Sequence, residues 1–170
     1  MLVVLSGLPG VGKTTIAHGV CVAMGALHLR IDSIEQALRA AGVTVEGEGY
    51  SVAYAVAEDN LRLGRSVVAD CVNPWPLTRD AWRAVADRAG VRAIEVEIVC
   101  SDRDEHRRRV ELRSPDIAGH RLPSWSEVAA RDYRPWERDR LVIDTAVMDV
   151  NASIREIQRA AERSWRAASG

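Results

Sequence analysis

Lysine is almost missing from this 170-residue chain: of its 23 basic residues, Lys13 is the single lysine and the other 22 are arginine. Phenylalanine is absent, and aromatic residues make up only 5 %, so the core must be built from aliphatic side chains. No apolar run approaches the ~20 residues of a membrane-spanning helix. Neither sign of charge dominates, since 23 basic and 24 acidic residues leave a net charge of −1. That balance argues against a basic nucleic-acid arm and against a long disordered tail. The three cysteines, Cys21, Cys71 and Cys100, are odd in number, far apart and without CxxC spacing. They read as free thiols of a reducing compartment rather than as a disulfide or a zinc site. The opening MLVVLSG carries no basic residue ahead of its apolar stretch, so it does not read as a secretory signal. A cytoplasmic protein without membrane attachment is expected.

The length and the 47 % apolar content fit one globular domain spanning 1–170, which should bury roughly 70 % of its unfolded surface. Short apolar runs alternate with helical patterns. Strands are predicted at Leu2–Leu5, Leu27–Ile31, Ser66–Asp70, Ala93–Cys100 and Leu141–Asp144. Helices are predicted over 13–24, from Ser33 onward with a Ser33–Gln36 capping box, and over 51–63, 77–89, 102–113 and 124–133. A last helix spaces Val150, Ile154, Ile157, Ala161 and Trp165 along one face. Such alternation implies an α/β fold, a parallel sheet covered on both faces. The segment 102–140 holds ten of the 22 arginines and reads as a mobile excursion from the domain.

Residues 7–14, GLPGVGKT, fit GxxxxGK[ST] between an apolar strand and a helix. The glycines let the backbone curl until successive N–H groups point at phosphate oxygens, and the helix that follows adds its positive end. Lys13 is placed to reach the β- and γ-phosphates and the Thr14 hydroxyl to ligate Mg²⁺. Arginine replaces lysine freely at exposed positions, so a lone lysine is expected where a compact charge on a thin stem is required. ATP and Mg²⁺ are therefore the expected cofactors, held by Gly7, Leu8, Pro9, Gly10, Val11, Gly12, Lys13, Thr14 and Thr15. A guanine-reading [NT]KxD motif would need a second lysine. A remodelling ATPase usually carries Asp-Glu after its second acidic strand, whereas here Asp70 is followed by Cys71. A small kinase remains.

GLPGVGKTT, LHLRIDS, SVVADCVNP, HRRRVELR and LVIDT, in that order over the whole chain, resemble the small P-loop kinases of the zeta-toxin and chloramphenicol phosphotransferase type. Gluconate and shikimate kinases are similar, and adenylate kinase is more distantly so. The resemblance implies a three-layer sandwich around a five-stranded parallel sheet in the order 2-3-1-4-5, with a helical, Arg-rich lid over about 102–124. It implies that Asp32 orients or deprotonates an acceptor hydroxyl, that Asp70 binds a Mg²⁺-coordinated water, and that Arg109 and Arg113 are the lid arginines stabilising transition-state charge. The bland readings stand beside these: Asp32 as a helix cap, Asp70 as a turn residue, and each arginine as a surface charge. Four residues apart, Arg109 and Arg113 would share one helix face. Acceptor contacts are expected from Asp32, Tyr50, Tyr54, Asn73, Trp75 and Arg79, although Trp75 equally suits packing against a helix. The expected partners are a nucleotide and a small-molecule acceptor, with antibiotic, sugar acid, nucleoside and nucleotide-sugar all open. Two alternatives remain: a nucleotide-binding regulatory ATPase without an acceptor, and a nucleotide or polynucleotide kinase.

Overall fold

The computed structural model describes residues 1–166. Its elements run β1 (Leu2–Ser6), α1 (Lys13–Met24), β2 (Leu27–Arg30), α2 (Ile31–Ala40), α3 (Glu48–Arg62), β3 (Val67–Asp70), α4 (Pro76–Arg88), β4 (Ala93–Val99), α5 (Arg103–Leu112), α6 (Trp125–Ala129), β5 (Leu141–Asp144) and α7 (Val150–Arg166). The five strands are all parallel and lie in the order β2-β3-β1-β4-β5.

β1 is the centre of this arrangement, and each of its residues is wholly buried. Leu2 and Val4 face one layer with Trp82, Val85, Ala53 and Leu61 from α3 and α4. Val3 and Leu5 face the other with Ile16, Val20 and Ile157 from α1 and α7. The period of two thus distributes a continuous apolar run between two cores. Each such aliphatic side chain contributes at most about 1.5–3 kcal/mol by leaving water. The connection leaving β1 covers one face and the connection leaving β3 covers the other. The carboxyl ends of these neighbouring strands are therefore the switch point at which open α/β sheets bind ligands. Register places Leu5, Asp70 and Arg30 abreast there.

Four local expectations are corrected. β2 ends at Arg30 and α2 starts at once at Ile31, so Ser33 lies inside the first turn and the Ser33–Gln36 capping box does not form. Asp32 is likewise within the first turn, where its charge complements the helix dipole; it is not the cap residue. A capping box does form at Ser124 and Glu127, at the start of α6, but that helix covers only Trp125–Ala129. The chain from 131 to 140 is tied down rather than mobile: Arg138 pairs with Glu95 and Asp80, and Arg140 with Glu97. On α7, Ile157 is fully buried; the side chain of Trp165 lies outside the described ones. Cys21, Cys71 and Cys100 are unpaired. No described helix is long and apolar enough to cross a membrane.

Candidate active site

A cavity of about 1040 Å³ opens over the carboxyl ends of β1, β2 and β3, a volume at the top of the range that holds one drug-sized ligand. Its floor is the loop between β1 and α1. Gly7 approaches β4 so closely that a Cβ there would meet the carbonyl oxygen of Ile98 at 2.2 Å. Gly10, at φ 86°, is both left-handed and pressed against α5, where a Cβ would meet Val110 at 2.5 Å. Only glycine satisfies both demands. Pro9, Gly10, Gly12, Lys13, Thr14 and Thr15 line the cavity. Gly7, Leu8 and Val11 shape the loop from below instead: Leu8 contributes its carbonyl to Lys13, and Val11 is buried in the core.

Lys13 is 92 % removed from solvent, and its ammonium donates to Leu8 O at 2.9 Å. Burial lowers its pKa, while Asp70 and Asp32 pull in the opposite direction. Asp70, at the end of β3, is almost fully buried. Burial pushes its carboxyl up, but His28, Lys13 and Thr14 together outweigh that and hold it below the usual value. Its Oδ2 has no hydrogen-bond partner, and His28 Nε2 is 3.6 Å away. An orphaned carboxylate oxygen beside a threonine hydroxyl fits a hard cation that takes its remaining ligands from phosphate and water. Among the described residues no group of three His, Cys, Asp or Glu could hold a metal alone.

Asp32 and Arg30 enter from the β2–α2 junction, with Arg30 Nη2 3.9 Å from Asp32 Oδ2. Arg113 enters from beyond the end of α5. Its backbone is extended rather than helical, so it does not share a helix face with Arg109, although both line the cavity. The two arginines also differ in state. Arg109 is held by Glu105, by the Thr145 hydroxyl at 2.8 Å and by the Thr145 carbonyl at 3.1 Å. The Thr145 hydroxyl in turn donates to Val11 O. Arg113 has no hydrogen bond or ion pair among the described residues and a buried, unsatisfied Nε. Burial lowers its pKa and Asp32 opposes the shift.

The predicted lid therefore divides in two. α5 is fixed to the phosphate loop: His106 Nε2 lies 2.8 Å from Pro9 O, and Val110 packs on Gly10. Residues 113–124 are irregular and reach across to the end of β2 and to α2, through Asp116 on Arg30 and Gly119 against Gln36.

The expected acceptor contacts fare differently. Of the six, only Asp32 lines the cavity. Tyr50 accepts from the Asn73 backbone N–H, and Asn73, with φ at 51°, donates from Nδ2 to Ser6. Tyr54 stacks edge-on against Trp82. Trp75 donates to Asp132. Arg79 is 98 % buried; it donates to four backbone carbonyls, of Asn73, Pro74, Arg134 and Pro135, and lies 4.1 Å over the Trp136 ring. These five residues lie outside the cavity lining. The sequence reading missed Arg30, Gln36, Arg39, Asp116, His120 and Arg121, which do line it. The one available signal was position: Arg30 precedes Asp32 by two residues at a strand's carboxyl end.

Sheet order, glycine loop and helix together define a P-loop fold of the kind found in small kinases. A family model described as an AAA domain matches residues 2–124, and the chain belongs to that family. The chain is similar in structure to a gluconokinase from Sinorhizobium meliloti 1021 (19 % identity, 97 % of this chain and 95 % of that one, TM-score 0.64). It is also similar to the Mycobacterium tuberculosis APS kinase CysC in complex with AMPPNP and APS (18 %, 95 % and 96 %, 0.66). A third similar structure is Chaetomium thermophilum Kti12 in complex with ADP-AlF3 (19 %, 96 % and 98 %, 0.71). At these identities the likeness carries the fold. No curated protein sequence matches the chain.

Proposed function

We propose that the protein is an ATP- and Mg²⁺-dependent phosphotransferase that moves the γ-phosphate to a hydroxyl of a small-molecule acceptor. The observation that carries this reading is the convergence of Lys13, Thr14, Asp70, Asp32 and Arg113 on one cavity. A nucleotide binder without an acceptor would have no use for Asp32 opposite the phosphate loop. The similar structures that hold AMPPNP or ADP-AlF3 support a nucleotide on that loop.

In this reading the backbone N–H groups of the loop and Lys13 bind the phosphates, and Lys13 exchanges its Leu8 carbonyl for phosphate oxygens. Thr14 and Asp70 are the residues that would hold Mg²⁺, which would neutralise phosphate charge. Asp32 takes the proton from the acceptor hydroxyl as its oxygen bonds to Pγ, and the bond from Pγ to the departing ADP oxygen breaks. Arg113, without a hydrogen bond or ion pair among the described residues, bridges phosphoryl oxygens as their charge grows. Arg109 holds α5 and the β5–α7 turn against the loop. Of the expected lid, 113–124 is the part that closes.

The test is ADP release from ATP·Mg²⁺ with and without members of a metabolite library. Acceptor-stimulated release with a phosphorylated product supports the reading; slow release indifferent to every member refutes it.

A further inference from the structure

Arg30 differs from the other arginines of the cavity. The ion pairs of Arg39 with Glu35, Arg121 with Glu127 and Arg109 with Glu105 are all local in the chain. Arg30 instead reaches 86 residues along the chain, and its Nη1 and Nη2 grip both carboxylate oxygens of Asp116, the fork-to-fork geometry of guanidinium and oxyanion. Its side chain is 13 % exposed and its Nε is buried without an acceptor, so the group is rigidly presented. Asp116 is 56 % exposed and belongs to the irregular segment that no helix or strand holds. Arg30 holds its carboxyl below the usual value. Asp116 is exposed and held by no helix or strand, so it can swing away without unfolding an element, and another oxyanion of the same fork geometry can take its place on Arg30. The exchange would take place beside Asp32, which lies 3.9 Å from Arg30 and also faces the unpartnered Arg113. A neutral acceptor would leave Arg30 on Asp116 and give this guanidinium nothing to recognise.

We propose that Arg30 is the anion site for the acceptor: the phosphorylated compound is an alcohol that also carries a carboxylate or a phosphate, and Asp116 occupies the site as an internal surrogate until that anion displaces it. The proposal rests on the kinase reading for the word acceptor, but the anion site itself is testable without turnover. Asp32 then meets the hydroxyl while Arg30 meets the oxyanion, both within the span of one small molecule. Arg30 and Arg113 together offset the repulsion between the acceptor's charge and Asp32.

The experiment saturates the protein with AMPPNP·Mg²⁺, so that the phosphate loop cannot take up added anion. Inorganic phosphate and, separately, acetate are then titrated by calorimetry into the wild type, Asp116→Asn and Arg30→Gln. The expected result is one further site, tightened about fivefold or more in Asp116→Asn and weakened about tenfold or more in Arg30→Gln, with AMPPNP affinity unchanged within about twofold. Tighter phosphate than acetate assigns a phosphate ester, and the reverse assigns a hydroxy acid. No second site in wild type and Asp116→Asn, or equal binding in all three proteins, overturns the proposal. A lowered melting temperature in Arg30→Gln without loss of anion binding also overturns it, reducing the pair to a staple. A second arm compares ADP release stimulated by gluconate against glucose and by glycerol 3-phosphate against glycerol. Preference for the neutral members overturns the anion site and leaves the kinase standing. Absence of any stimulation bears on the kinase reading alone, because the calorimetry decides the site by itself.

Discussion

Lys13 turns its ammonium back onto the loop that presents it, donating to the Leu8 carbonyl oxygen at 2.9 Å while 92 % removed from solvent. Its pKa is lowered chiefly by burial, so the charged form is disfavoured by folding. The unfolded chain binds this proton more tightly than the folded one, and at neutral pH the lysine is a liability to the empty protein. Lys13→Met should therefore melt at or above the wild-type temperature without nucleotide. At ATP·Mg²⁺ a hundredfold above Kd the wild type should gain roughly 5–10 °C and the variant almost none. Lys13→Arg should not restore the gain, because a planar guanidinium is too broad for the cradle. Scanning calorimetry with and without ATP·Mg²⁺ checks all three. A nucleotide-induced shift equal to the wild type in either variant would contradict the role.

Arg79 does not line the cavity, and its side chain is committed to a buried network. Its donors reach four carbonyls and its plane lies over Trp136, a set that Lys cannot reproduce. Arg79→Lys should lower the melting temperature by roughly 5–10 °C, the effect of breaking a buried hydrogen-bond network in a chain this long. KM for acceptor in the surviving folded fraction should be unchanged. A raised KM with normal melting would restore Arg79 to the acceptor site.

The two lid arginines should separate in kinetics. Arg113→Ala, which removes an unpartnered guanidinium, should cost about 10³-fold in kcat with the melting temperature nearly unchanged. Arg109→Ala breaks the link from α5 to Thr145 and the loop and should lower both melting temperature and nucleotide affinity. Proteolysis should add a spatial check: nucleotide should protect 113–124, while α5 resists protease throughout. Equal loss of turnover below tenfold in both variants would make them surface charges.

Asp70 predicts an acid limb. Its carboxyl is held below the usual value by His28, Lys13 and Thr14 against the opposing effect of burial. Its contribution is therefore present above the ordinary carboxylate range and lost as pH falls through the lowered folded value. In denaturant titrations of the empty protein from about pH 6 to about pH 2, the stability advantage of wild type over Asp70→Asn should shrink toward the acid end. An advantage that grows with acidity would reverse the assignment.

The legible parts of this molecule are those with short-range grammar. The glycine loop, the alternation of β1 between two cores and the 3.6-residue faces all follow from nearest-neighbour spacing. Asp32 and Asp70 line the cavity, and their place at the carboxyl ends of parallel strands is read directly from the chain. Arg79 lies outside the cavity lining because its side chain is held by residues 133–136, which spacing does not connect to it. Arg30 was passed over because its partner, Asp116, is 86 positions away. The Ser33–Gln36 capping box failed because β2 runs into α2 with no intervening turn.

Asp32, proposed to serve transfer and not nucleotide binding, is tested by one variant. Asp32→Asn keeps the side chain's shape and reach but cannot accept the acceptor's proton. None of the groups proposed to hold nucleotide depends on it. With the wild type and the variant side by side, ATP·Mg²⁺ affinity should agree within a few-fold, while phosphate transfer to the best library acceptor should fall by about 10²–10⁴. Loss of a favourable charge in the first turn of α2 should cost at most about 1 kcal/mol of stability. A destabilised Asp32→Asn protein that transfers phosphate at the wild-type rate would contradict the assignment.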